Sequence, residues 1–355
     1  MKLGDKVLEL PLIQGGMGVG ISLGRLAGNV AKCGAMGVIS SVNAGFDEPD
    51  FLTDPVSANL RALEREIKKA KEIAGGKGLV GVNIMTAVTH YEETCLCAVK
   101  AGADAIISGA GLPKALAGLV KGSKTLFAPI VSSGRAAKLL LRHYRKRFEM
   151  EPDFFVLEGS RAGGHLGFSK EELLEGTALS NEEILEDVLE AAEGIPVFVA
   201  GGVFDGKDMA GFIKRGAAGV QIGTRFIATE ECDADDGFKQ AIIDAEEEDI
   251  MIIQSPVGMP ARALKTPLLE RLKNGEGFKA ITCNNCLEAC PKGDKTPYCI
   301  SRALVEAVRG NREDGLFFTG ANAGRINRVV KVKELIDEIM ADFNSSMTGM
   351  EVQGA

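Results

Sequence analysis

The stretch PVFVAGGVFDGKDMAGFIKRGAAGVQIGT, residues 196–224, decides the fold. It reads as an apolar run closed by a glycine pair (PVFVAGG, 196–202), a segment of helical spacing, and a second apolar run closed by glycine (AGVQIGT, 218–224). That is a strand, a crossover helix and a parallel strand. Toward the N-terminus the same unit recurs at PLIQ (11–14), MGVISS (36–41), LVGVN (79–83), DAIISG (104–109), LFAPIV (126–131) and FFVLEG (154–159). Near-continuous apolar strands alternating with helices imply a parallel sheet covered on both faces. Eight of them favour closure into an α/β (β/α)8 arrangement, the TIM barrel, over an open sheet. Residues 59–74 and 181–194 carry apolar side chains at three- and four-residue intervals with charges between, as outer barrel helices should.

The chain has 355 residues, more than the roughly 250 that such a barrel typically needs. The strand–helix rhythm runs to about residue 228, lapses, and gives way near 312 to a glycine-bearing turn and a closing helix. The expected organisation is a barrel over 1–228, a small helical, cysteine-containing subdomain over 229–312, and a return segment with closing helix and frayed polar tail over 313–355. Lys+Arg of 41 against Asp+Glu of 49 gives a net charge of −8, which argues against nucleic acid or an anionic membrane as partner. A small-molecule substrate is expected instead. Without a run of about 20 apolar residues or a secretory leader pattern, the expected location is the cytoplasm, where the eight cysteines stay reduced.

In a barrel of this type the reactive groups sit on the loops that follow the strands. Glycine crowds those loops, and AGG (200–202) and GTR (223–225) follow the last two strands, the usual phosphate position. Backbone N–H groups of Gly201, Gly202, Gly223 and Thr224, with the Thr224 hydroxyl, can hold an anion without a large positive patch. Tight barrel turns would use the same glycines. His165 stands in a loop of small residues, AGGHLG, at the rim, whereas His90 and His143 lie elsewhere. Its imidazole is the natural acid/base group at neutral pH; a structural hydrogen-bonding role is the alternative. Asn83 suits a ring edge or sugar hydroxyl, or a helix cap. Glu158 and Gln221 are polar at otherwise apolar strand ends and need a ligand or a neighbour to satisfy them.

Taken in order, IQGGMGVG (13–20), GVNIM (81–85), SGAGLP (108–113), EGSRAGGHLGF (158–168), AGGVFDG (200–206) and GVQIGTRF (219–226) resemble the nitronate monooxygenase family, formerly 2-nitropropane dioxygenases. They also resemble its relative, the FMN-dependent enoyl-acyl carrier protein reductase. The resemblance implies an FMN-binding barrel with Met17, Asn83, Glu158, Gly164, Gly202, Gln221, Gly223 and Thr224 along the cofactor and His165 near flavin and substrate. GANAGRI (320–326) looks like the turn with which such chains return to the cofactor. The implied activity is oxidation of alkyl nitronates or a related small substrate. The alternative is enoyl-thioester reduction with NAD(P)H, which would make an acyl carrier protein a partner. A homodimer is compatible with either.

CNNCLEACPKGDKTPYC (283–299) places Cys283, Cys286, Cys290 and Cys299 within seventeen residues, a soft donor set for zinc or a [4Fe–4S] cluster, or four unmetallated thiols. Cys33, Cys95, Cys97 and Cys232 read as buried small hydrophobes. Rival readings are a non-redox barrel that binds a phosphorylated metabolite and a flavin carrier that docks a partner through its cysteines. RAAKLLLRHYRKRF (135–148) is rich in Arg and Lys; it reads as a solvated outer helix that could also attract an acidic carrier or a dinucleotide phosphate.

Overall fold

The computed structural model of the chain describes residues 1–276, 283–288, 290–291 and 296–348. Eight parallel strands close a barrel in sequence order: β1 (Leu12–Gln14), β2 (Met36–Ser40), β3 (Leu79–Met85), β4 (Ala105–Gly109), β5 (Leu126–Val131), β6 (Phe155–Glu158), β7 (Val197–Ala200) and β8 (Gly219–Ile222). Every expected strand is present. Closure is made by β8 against β1, with Val220 opposite Leu12 and Gln221 opposite Ile13.

Helices α1 (Gly24–Lys32), α2 (Pro55–Ala74), α3 (Tyr91–Lys100), α4 (Leu116–Val120), α5 (Gly134–Phe148), α6 (Lys170–Glu175), α7 (Asn181–Ala192) and α8 (Gly206–Lys214) lie between the strands. Their ends follow local chemistry. At α2 the Asp54 carboxylate accepts from Ser57 N–H at 3.1 Å, Pro55 opens the helix, and Gly75 closes it at φ 59°. Burial alternates along the strands. Met36 and Val38 join Ile107, Ala128, Val156 and Phe198 inside the barrel, while Ile39, Ile106, Leu157 and Val199 pack outward against the helices. The Phe154 and Phe198 rings meet edge-on at 5.3 Å in the inner core, and Leu3 and Leu8 of the N-terminal segment join it. The interior is thus a packed plug, and open space is left at the carboxyl ends of the strands.

After the short α9 (Thr224–Ile227) the chain leaves the barrel. It forms α10 (Asp236–Ile243), strands β9 (Ile250–Gln254) and β10 (Pro260–Leu264), α11 (Pro267–Lys273) and α12 (Ile300–Val308), and then returns. The expectation of a purely helical subdomain is corrected here: IMIIQ and PARAL pair antiparallel as a hairpin. Gly258 in its connection has φ 83°. Beyond its own pair, β10 binds the two-residue strand Gly164–His165, with Ala261 opposite His165 and Arg262 opposite Gly164. The last helix, α13 (Val332–Thr348), packs against α8 and α1 and supplies the barrel helix that β8 otherwise lacks. Gly206 permits this, since a Cβ there would stand 2.1 Å from Ile339 O.

A side chain at Gly37 in β2 would lie 1.9 Å from the Ala27 carbonyl oxygen of α1, whereas one at Gly211 in α8 would meet nothing within 4 Å. Gly37→Ala should therefore destabilise the fold by about 1–3 kcal/mol through overpacking. Gly211→Ala should be neutral or stabilising by up to about 1 kcal/mol. Urea midpoints of the two variants check both, and equal midpoints would contradict the packing described.

Candidate active site

The strand ends enclose a cavity of about 700 Å³. Its wall includes His165 and all the residues expected at the cofactor: Met17, Asn83, Glu158, Gly164, Gly201, Gly202, Gln221, Gly223 and Thr224. His90 and His143 stand apart, the first 3.6 Å from Glu93 and the second edge-on to Tyr144 and Phe148.

At the end of β7, Gly201 and Gly202 adopt φ 88° and 87°, a region that side chains disfavour. Space forbids a side chain too. A Cβ on Gly201 would meet Ala162 N and Gly159 O at 2.9 Å, and one on Gly202 would meet Arg161 Cβ at 2.9 Å. The return turn reaches the same place: Gly320 N–H donates to Thr224 Oγ1 at 2.9 Å, and Asn322 Nδ2 donates to Gly202 O at 2.6 Å. Asn322 Oδ1 in turn accepts from Arg161 Nη2 at 2.9 Å. This cradle of backbone N–H groups with one guanidinium beside it suits a phosphate.

His165 is set by the hairpin. Its Nε2 lies 2.8 Å from Ser255 Oγ, its ring meets Phe318 edge-on at 5.3 Å, and its backbone is paired with Ala261. Burial pushes the imidazole down to about 4, so the ring is unprotonated at neutral pH. The Glu158 carboxyl accepts no hydrogen bond among the described residues, and burial pushes it up to about 7. Arg262 Nη1 donates to the carbonyls of Ser160 and Ala162 at 2.8 and 2.5 Å, tying the loop before His165 to β10. Ser255, Arg161 and Arg262 were not expected from the sequence. The turn SPVG between two apolar runs is the signal that would have pointed to the hairpin.

The cysteine set borders the same cavity, with Cys286, Leu287 and Ile300 in its wall. Leu287 bridges to Val88 and Thr89 N–H donates to Cys286 O at 3.3 Å, which fastens the segment to the loop after β3. Burial, with Cys299, Cys290 and Cys283 around it, raises the Cys286 thiol to about 11. Among the described residues no group of three or more His, Cys, Asp or Glu side chains is arranged to hold a metal ion. Of the other four, Cys95 and Cys232 are buried, and Cys33 and Cys97 are half-buried against the core.

The family model described as nitronate monooxygenase matches residues 2–342. The chain belongs to the nitronate monooxygenase family. A relative from Mycobacterium tuberculosis, named as a (3aS,4S,5R,7aS)-5-hydroxy-7a-methyl-1-oxo-octahydro-1H-indene-4-carboxyl-CoA dehydrogenase, is 28% identical and covers 94% of this chain and 93% of its own length. A probable nitronate monooxygenase from Staphylococcus haemolyticus is 30% identical over 55% of this chain and 52% of its own. Among solved structures, FabK from Thermotoga maritima superposes with a TM-score of 0.75 at 25% identity, covering 98% of this chain and 96% of that one. Nitroalkane oxidase from Streptomyces ansochromogenes shares the fold, with a TM-score of 0.74 at 20% identity and coverage of 96% and 97%. This family member is an FMN-dependent oxidoreductase acting on small molecules, which sets aside the non-redox barrel. Among the described residues no helix is long and apolar enough to cross a membrane.

The two shifted groups act oppositely on stability. His165 is unprotonated in the fold down to about pH 4 while the unfolded chain takes up the proton near 6.5, so its contribution is lost as pH falls from 6.5 to 4. Glu158 keeps its proton in the fold up to about 7 while the unfolded carboxyl ionises near 4.5, so its contribution is lost as pH rises between those values. An NMR titration of the His165 ring should show a midpoint near 4; a midpoint at the ordinary 6.5 would contradict a buried neutral imidazole.

Proposed function

We propose that His165 is the acid/base residue of the reaction, moving a proton at a carbon made acidic by a neighbouring electron-withdrawing group. The observation that carries this is the meeting, in one cavity, of an unprotonated imidazole fixed by Ser255 with the glycine cradle of Gly201, Gly202, Gly223 and Thr224. An imidazole without its proton is ready to accept one, and only a group within reach of the substrate can do so. Ser255 Oγ, held against the ring, fixes which nitrogen is free to exchange it.

The residues fit FMN. The cradle, in which Gly201 and Gly202 leave no room for a side chain, would hold the phosphate, with Arg161 beside it. Asn83, Gln221 and the carboxyl of Glu158, which burial pushes up to about 7, would offer hydrogen bonds along the remainder of the cofactor, with Met17 and Gly164 in contact. When bound, FMN supplies the two-electron redox chemistry that no side chain here can provide. Phe318 and the hairpin bearing Ser255 limit water around His165.

A nitroalkane, whose conjugate base is the alkyl nitronate, has such an acidified carbon, and so does a thioester at the carbon beside its carbonyl. NAD(P)H as reductant belongs with the thioester reading, as does the full-length likeness to a relative named for a carboxyl-CoA compound. A homodimer and a cytoplasmic location complete the reading.

His165→Ala should retain FMN, seen as flavin absorbance after purification, and slow turnover by the ~10²–10⁴ typical of lost acid/base catalysis. Unchanged turnover would remove His165 from the mechanism.

Cys283, Cys286, Cys290 and Cys299 belong to this reading as soft donors for zinc or a [4Fe–4S] cluster. Its support is their spacing and the gathering of three thiols around Cys286; ligation would draw them closer than they stand. Anaerobically purified protein should carry zinc, or iron with acid-labile sulfide, and lose it in Cys286→Ser with flavin retained. Full flavin with neither metal would overturn it.

A further inference from the structure

Helix α5 is a strongly basic surface most of whose charges are unpaired among the described residues. Its sequence GRAAKLLLRHYRKRF contains no acidic residue, in a chain of net charge −8. Arg135, Lys138, Arg142 and Lys146 recur at intervals of three and four, so they form one stripe along the helix, and all four are exposed. Only Arg145 of this helix is ion-paired among the described residues, at 2.7 Å to both Glu151 and Glu193. The neighbouring acidic helix α7 makes no ion pair with the stripe among the described residues, although Asp187 packs beside Gly134: Glu183 is engaged at its own N-cap and Glu186 lies 3.8 Å from Arg215. Like charges one turn apart repel, so the stripe works against helix stability and calls for an anionic occupant.

The stripe begins where the cavity opens. Ser132, Ser133 and Ala136, at the N-terminal end of α5, belong to the cavity wall, together with Leu112 and Leu179. Those two leucines are 43% and 51% exposed, which makes them the lip of the opening, and Leu139, one turn beyond Ala136, is 44% exposed. Tyr144 Oη donates to Pro113 O at 2.8 Å, pinning the Leu112 loop and its exposed Lys114 to α5. A ligand at this mouth meets an apolar gap leading inward and a row of cations leading outward. An alkyl nitronate, small and singly charged, uses neither.

We propose that the mouth binds coenzyme A thioesters, with the phosphates of the nucleotide end on Arg135, Lys138 and Arg142 and the pantetheine arm passing between Leu112 and Leu179 toward His165. Three clustered phosphate groups match cations spaced by successive helical turns, and a thin, largely apolar arm matches the gap. A thioester acidifies the carbon beside it, which is what the acid/base role of His165 requires. The inference rests on that role and names the substrate class.

The test is a calorimetric titration of the FMN-loaded full-length protein with coenzyme A, its 3′-dephospho form and NADPH, at low and high salt. Wild type should bind coenzyme A best, with affinity falling on removal of the 3′-phosphate and on adding salt. Arg135→Glu/Lys138→Glu/Arg142→Glu should lose about tenfold or more in affinity, with flavin absorbance retained and the melting temperature not lowered. The triple Gln variant, carrying no reversed charge, should show a smaller loss and guards against misfolding. Absence of coenzyme A binding to wild type, or wild-type affinity in both triple variants, would overturn the proposal. A stripe-dependent loss for NADPH, with coenzyme A unaffected, would equally overturn it by giving the stripe another occupant. Failure of the His165 role would appear separately, as unimpaired turnover in His165→Ala, and would leave these titrations readable.

Discussion

Pairing of β8 with β1, through Val220 opposite Leu12 and Ile222 opposite Gln14, is the constraint from which the rest of the structure follows. Closure removes the two sheet edges and aims all eight strand ends at one small area. Glycine loops more than 200 residues apart in the sequence, those at Gly15 and Gly223, thereby become neighbours in one wall. With the lower barrel filled by Met36, Ile107, Phe154 and Phe198, a ligand can enter only from the strand ends.

How much of this was legible depends on the range of the interaction that fixes each part. All eight strands could be read because a strand buried on both faces needs an apolar run, and such a run is a local property. The cofactor wall was legible for the same reason: once a strand end is located, Asn83, Glu158, Gln221 and Thr224 are placed by counting along the chain. Ser255 and Arg262 were not. They reach the site only because β10 pairs with Gly164–His165, nearly 100 residues away, and no local pattern encodes which segment a hairpin edge will choose. The reading of 229–312 as helical failed at that point, since IMIIQ is short enough to suit either a strand or part of a buried helix.

The hairpin also explains how a loop of small residues can hold a reactive side chain in place. AGGHLG has little of its own to pack, and Gly164 sits at φ 72°. Rigidity is imported: two backbone pairs to β10, the Arg262 guanidinium on two loop carbonyls, and Ser255 and Phe318 on the ring. Arg262 is buried beside Arg161, which lowers it to about 10, still well above neutral pH. Its charge therefore remains, and it remains on the loop.

The charge distribution inside the cavity bears on what can occupy it. Burial pushes the Glu158 carboxyl up to about 7 and the His165 imidazole down to about 4, so near neutrality these two groups together carry at most a partial negative charge in the middle of the cavity. Positive character is contributed by Arg161 and Arg225 and by the N–H groups around Gly201 and Gly202, at the end where Asn322 ties the return turn to β7. A ligand with a neutral aromatic body and an anionic tail matches that gradient; one with charge at both ends does not, because burying an uncompensated charge against the middle of the cavity would be opposed by desolvation. The same two groups are pushed apart in opposite directions, one holding a proton and the other lacking it at the same pH, which is the arrangement by which one site can both donate and accept protons without changing its net charge.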